Sequence, residues 1–96
     1  MNLYIVALLR LKESELFDGI EILKKLVLDT RQEEGCLQYD LVEDREQKGV
    51  FFIVERWLDA ESHHKHSVSE HMQVFRGAIA PLLEQRTEVY RGFKMF

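Results

Sequence analysis

From Leu3 to Arg10 the chain reads LYIVALLR, a nearly unbroken apolar run with β-branched and aromatic members. No polar interval is wide enough for the outer face of a helix, so the run predicts a strand covered on both sides. In the next segment Leu16, Ile20, Leu23 and Val27 recur at steps of four, three and four, the stripe of an amphipathic helix. Ser14 is the expected cap, Glu15 and Asp18 suit its positive end, and Glu21, Lys24, Lys25 and Asp29 form the polar side. Gly35, able to take positive φ, is the expected stop after Glu33 and Glu34.

Leu37, Tyr39 and Leu41 then alternate with Gln38, Asp40 and Glu43, and the polar stretch Asp44 to Gly49 separates them from the apolar run Val50 to Trp57. This predicts a β-hairpin whose second strand places Phe51, Ile53, Glu55 and Trp57 on one face. Asp59 is positioned to cap a short helix to about His66, and Ser69 another with Met72, Phe75, Ile79 and Leu82 on its apolar side. The two pieces meet near Ser67. Pro81 ends or kinks the second, and Thr87 to Phe96 is a β-rich tail.

The predicted order, β-α-β-β-α-β, is the split β-α-β arrangement of an α+β ferredoxin-like fold with an antiparallel sheet and both helices on one sheet face. The strands are apolar on both sides, so the other face also needs a cover. A second copy of the chain, packed sheet to sheet, is the simplest one. With 96 residues and no linker or repeat, the whole of 1–96 is expected to be a single domain.

Charge narrows the partners. Thirteen Lys and Arg against seventeen Asp and Glu give a net −4, which offers no general attraction to nucleic acid or an anionic membrane. The lone Cys36 excludes an internal disulfide framework and a multi-thiolate metal site. It suits a reducing compartment, and a cytoplasmic location is the corresponding expectation.

The chemistry-bearing feature is a histidine cluster, His63, His64, His66 and His71. His63 and His66, three apart, could give a zinc ion two ligands, but no thiolate joins them, and His63 and His64 read more simply as solvated helix positions. No metal is expected. His66 and His71 lie on either side of the helix break at Ser67, Val68 and Ser69, so both rings can point at one spot and handle a proton near neutral pH. Glu55, a carboxylate among apolar strand neighbours, either orients such a histidine or is buried for structural reasons alone. Tyr39, Trp57, Phe51 and Phe75 are candidates to line an apolar pocket between sheet and helices. Phe51 and Phe75 have the stronger claim to be plain core. No phosphate loop, nucleotide fingerprint or serine or cysteine nucleophile motif is present, and no cofactor is expected.

Glu34-Gly35-Cys36-Leu37-x-Tyr39-Asp40-Leu41, Glu55-x-Trp57-x-Asp59 and His66-x-x-Ser69-x-His71-Met72-x-x-Phe75 together resemble the antibiotic biosynthesis monooxygenase family. The resemblance runs over essentially the whole chain. It implies a dimeric ferredoxin-like α/β barrel, often with the C-terminal strand reaching across to the partner. Its members include cofactor-independent monooxygenases of anthrones and quinols, an isomerase of a phosphorylated signalling sugar, and haem-degrading relatives. The haem-degrading pattern, with a tryptophan near His66 and a ligand histidine near Phe75, is absent here. Where the family often has serine-proline-histidine, this chain has Ser69-Glu70-His71.

The expected function is therefore oxidation of a small quinol or anthrone-like aromatic by molecular oxygen. His66 or His71 is the base, Glu55 its orienter, and Tyr39 or Trp57 a hydrogen-bond donor to the anion. Two alternatives use the same parts: an isomerase of a small carbonyl compound, favoured if Lys24, Lys25 or Arg56 faces the pocket, and a binding domain without a reaction.

Overall fold

The computed structural model describes residues 1–96. Four strands, β1 (Leu3–Arg10), β2 (Cys36–Glu43), β3 (Val50–Trp57) and β4 (Glu88–Gly92), form one sheet in the order β2-β3-β1-β4. All neighbouring pairs are antiparallel. The helices are α1 (Leu16–Thr30), α2 (Ala60–Ser67) and α3 (Glu70–Ile79), with 3-10 turns at Glu13–Glu15 and Ala80–Leu82. This is the expected ferredoxin-like α+β order. No helix is long and apolar enough to cross a membrane.

Because strand side chains alternate, β1 sends Leu3, Ile5, Ala7 and Leu9 to the helix-covered face, and β3 adds Phe51, Ile53 and Trp57. Against them α1 packs Leu23, Leu26 and Val27. The opposite face carries Tyr4, Val6 and Leu8 beside Phe52 and Val54. There Tyr4 and Val6 are exposed, so within one chain β1 is covered on one side and not on both.

Three local expectations change. Ser14 lies inside the first 3-10 turn and makes no cap; α1 begins at Leu16 without a side-chain cap bond. The helix ends at Thr30, and residues 31–35 form a turn that Gly35 closes with φ of +85°. The tail pairs only over Glu88–Gly92. Asp59 and Ser69 do cap α2 and α3, each accepting a bond from the backbone N–H three residues on, Ser62 at 2.8 Å and Met72 at 3.4 Å.

Gly35 matters because the turn before it carries Glu33. Its carbonyl accepts from the Leu58 N–H at 2.8 Å, and a Cβ there would run into the Ser62 side chain on α2. Gly35→Ala therefore combines left-handed strain with a steric clash, and is expected to destabilise the fold by about 1–3 kcal/mol in denaturant unfolding. Unchanged stability would contradict this account of the turn.

Candidate active site

The break between α2 and α3 brings the two predicted histidines to one carboxylate. His66, in the last turn of α2, is 2% exposed, and its Nδ1 lies 2.6 Å from Glu33 Oε2. His71, in the first turn of α3, puts Nε2 at 3.6 Å from the same oxygen. The ring centroids are 5.9 Å apart. Glu33 comes from the turn after α1, a polar loop position that neither periodicity nor motif spacing marks out.

These contacts assign the ring protons. Facing a carboxylate at hydrogen-bond distance, His66 Nδ1 is the donor, which leaves the Nε2 lone pair on the opposite edge of the ring. Burial lowers the His66 pKa below the usual imidazole range, and the Glu33 carboxylate only partly offsets that. The ring is thus held neutral and ready to accept a proton. Ser69 fixes the second ring: its hydroxyl donates to the His66 carbonyl at 2.7 Å, so toward His71 Nδ1, 3.4 Å away, it can only accept. Neutral His71 therefore carries its proton on Nδ1.

A cavity of about 660 Å³ opens between the sheet and α2–α3. Its wall includes His66, His63, Tyr39, Glu55, Phe75 and Met72. Glu33 and His71 do not reach it; His71 borders a separate groove between α1 and α3. His66 therefore stands as a partition, with the Glu33 cluster behind it and the cavity in front.

Several sequence expectations are revised here. Glu55 does not hold either histidine: its Oε1 accepts the Trp57 indole N–H at 2.9 Å. The carboxylate that orients His66 is Glu33. Trp57 is fully buried, does not line the cavity and has its donor engaged, so it is neither a lining residue nor a donor to substrate; it backs the His66 ring at 4.8 Å between centroids. Phe51 is core and also outside the cavity, whereas Tyr39 and Phe75 line it. His64 is solvated, but its neighbour His63 is half-buried on the cavity wall. Burial, then the nearby His66 and Arg91, depress the His63 pKa to about 4.

Lys24 and Lys25 lie on the exposed side of α1, reaching Glu21 at 3.9 Å and Asp29 at 2.6 Å. Arg56, beside Tyr4 on the open sheet face, donates to Asn2 at 3.2 Å. None of the three lines the cavity. Arg76, Arg86 and Arg91 do, from α3, the loop before β4 and β4 itself, and none of them stands out in the sequence.

Glu55 offers a stability test. Burial raises its pKa from 4.5 to about 7, against the opposing Trp57 hydrogen bond and the Arg91 charge. Between those values the folded state holds a proton that the unfolded chain has released, so stability falls as pH rises through that window and then levels off. This one group contributes a fall of up to roughly 3 kcal/mol. Glu55→Gln, which keeps an oxygen acceptor for Trp57, is expected to flatten the slope in denaturant titrations between pH 4.5 and 7. A slope identical to wild type would contradict the buried, protonated Glu55.

The model of the family described as antibiotic biosynthesis monooxygenase matches residues 2–78. A Bacillus subtilis (strain 168) protein, "Putative monooxygenase YcnE", is 29% identical over 85 residues, covering 88% of this chain and 90% of that protein. A crystal structure described as an antibiotic biosynthesis monooxygenase superposes with a TM-score of 0.92 at 28% identity, over 97% of this chain and 98% of the other. A conserved protein from Methanosarcina mazei Go1, 24% identical, superposes with a TM-score of 0.94 over 98% and 93% of the two chains, a likeness of fold. With a family match across most of its length and a fold that agrees, the chain belongs to the antibiotic biosynthesis monooxygenase family.

Proposed function

We propose that the cavity is the active site of a cofactor-independent monooxygenase in which His66 Nε2 removes a proton from a small quinol or anthrone-like aromatic. The observation that carries this reading is the placement of His66: its Nδ1 is bound to the Glu33 carboxylate, which does not itself reach the cavity, while the His66 ring forms part of the cavity wall. A neutral imidazole so oriented is a base that need not reorganise before it acts.

Removing the proton leaves an electron-rich anion, which Arg91, Arg76 and Arg86 are placed to steady from the wall. The anion gives one electron to oxygen. The two radicals combine to a peroxide anion at the ring carbon, His66 returns its proton to give the hydroperoxide, and loss of water leaves a carbonyl. For an anthrone the sum is CH₂ + O₂ → C=O + H₂O: one oxygen atom enters the product, the other leaves as water, and no outside reductant is consumed.

The same arginines favour a second reading, isomerisation of a small anionic carbonyl compound, with His66 carrying a proton from one carbon to the next. Oxygen uptake separates the two. With a panel of quinols and anthrones, His66→Ala is expected to lower oxygen uptake by roughly a hundredfold or more while the fold is kept, and Glu33→Gln to lower it less. Undiminished uptake in His66→Ala would refute this base. Proton exchange into a carbonyl substrate without oxygen uptake would favour the isomerase.

We further infer a cytoplasmic homodimer joined through the open sheet face. Val6 there pairs with Val54 and Tyr90, and Val6 and Tyr90 are exposed, an apolar strip that a second copy would remove from water. β4 and the exposed Phe93 beyond it lie at the edge of that strip, where the tail could reach the partner. Sedimentation is expected to give twice the 11.4 kDa chain mass, and Val6→Asp to yield monomer; a monomeric wild type would contradict this assembly.

A further inference from the structure

The space behind His66 is built differently from the cavity in front of it. Glu33 Oε2, His66 Nδ1 and His71 Nε2 come from three separate elements, and all lie within 4.8 Å of one another. Because Ser69 holds the proton of neutral His71 on Nδ1, the Nε2 lone pair turns toward the Glu33 oxygen at 3.6 Å. Two electron-pair donors thus converge on one spot. Without an ion, the Nε2 lone pair accepts from the Thr30 hydroxyl at a long 3.4 Å, a bond that an ion would replace.

We propose that Glu33, His66 and His71 form a binding site for one divalent transition-metal ion of the zinc type, on the side of His66 away from the cavity. Two imidazole nitrogens and one carboxylate oxygen suit a borderline ion and disfavour calcium or magnesium, which take mainly oxygen. Around a tetrahedral zinc ion, with bonds of about 2.0–2.1 Å, ligand atoms stand about 3.4 Å apart. The Glu33–His71 pair is already near that spacing, at 3.6 Å. The Glu33–His66 pair, at 2.6 Å, must open by less than about 1 Å as the ion replaces the Nδ1 proton, and the two imidazole nitrogens, up to 4.8 Å apart, must close by up to about 1.4 Å.

Glu33 has room for that movement, since it sits in a turn with its side chain 20% exposed. The Ser69 bond to His71 Nδ1 is the outer contact that commonly orients a ligating imidazole. On the outer side the cluster adjoins solvent: the Glu33 side chain is 20% exposed, and His71 borders the groove between α1 and α3 with Asp29 and Lys25. Neither Glu33 nor His71 reaches the cavity, so the ion would not meet substrate.

Its effect would pass through the His66 ring. A metal on Nδ1 leaves the neutral imidazole with its proton on Nε2, turning the cavity-facing edge from acceptor to donor. If His66 is the base proposed above, zinc switches it off. This consequence rests on that reading; the binding site does not.

The test is calorimetric titration of Zn²⁺ into the full chain after treatment with chelator. One ion per chain is expected, with affinity lowered on the order of tenfold or more in Glu33→Gln and in His71→Ala and unchanged in the surface variant His64→Ala. Absence of saturable binding, binding unaffected by both ligand variants, or binding abolished by His64→Ala would overturn the site. Should a ligand variant fold poorly, ¹⁵N spectra of the wild-type imidazoles decide: Zn²⁺ must shift His66 Nδ1 and His71 Nε2, and shifts confined to His63 or His64 would overturn it equally. Oxygen uptake is read separately. Binding with loss of uptake that chelator restores supports both site and base, whereas binding with uptake unchanged upholds the site and counts against the base.

Discussion

The bond between Glu33 and His66 is the constraint on which the rest of the site depends. An imidazole with 2% exposure would ordinarily be free to present either nitrogen to its surroundings, and burial would penalise its charged form. A carboxylate at 2.6 Å removes that freedom by accepting a hydrogen bond from Nδ1–H. The surrounding packing holds the ring in place: Trp57 lies on one side at 4.8 Å and Tyr39 on another at 5.6 Å. What reaches the cavity is therefore a ring of fixed tautomer.

Several features of the chain follow from making that bond. Glu33 has to approach α2 from the turn after α1, and Gly35 lets the turn close against Ser62 without a side chain in the way. His71 has to face back toward the same carboxylate, which it does because Val68 and Ser69 interrupt the helix between the two histidines. Glu55 and Trp57 satisfy one another in the sheet layer beneath, so a carboxyl stays under the cavity without competing for the histidine. The arginines on the wall balance a chain that is otherwise net acidic, giving the cavity a local charge opposite in sign to the chain's total.

Much of this was legible in the sequence, for identifiable reasons. The strands β1 and β3 and the caps Asp59 and Ser69 carry strong local signals, and each lies where the pattern put it. His66 and His71 were legible as a pair because a helix break turns a spacing of five into convergence. Glu33 was not, since a glutamate in a polar turn looks the same whether it faces water or a histidine; only the path of the chain after Thr30 brings it inward. Glu55 misled for the complementary reason. A buried carboxylate needs a partner, and the sequence cannot say that the partner is the indole two residues along the same strand face. Arg76, Arg86 and Arg91 were missed because a cavity mouth, like a solvated face, is polar in sequence.

The central claim is that His66 is neutral, protonated on Nδ1 and open on Nε2. Nitrogen-15 correlation spectra of the histidine rings at neutral pH, in protein treated with chelator, test it without a substrate. The account predicts that His66 gives the pattern of an Nδ1–H tautomer, with Nε2 at the shift of an unprotonated nitrogen, and that Glu33→Gln disturbs this pattern. A proton found on Nε2, or an imidazolium at that pH, would contradict it.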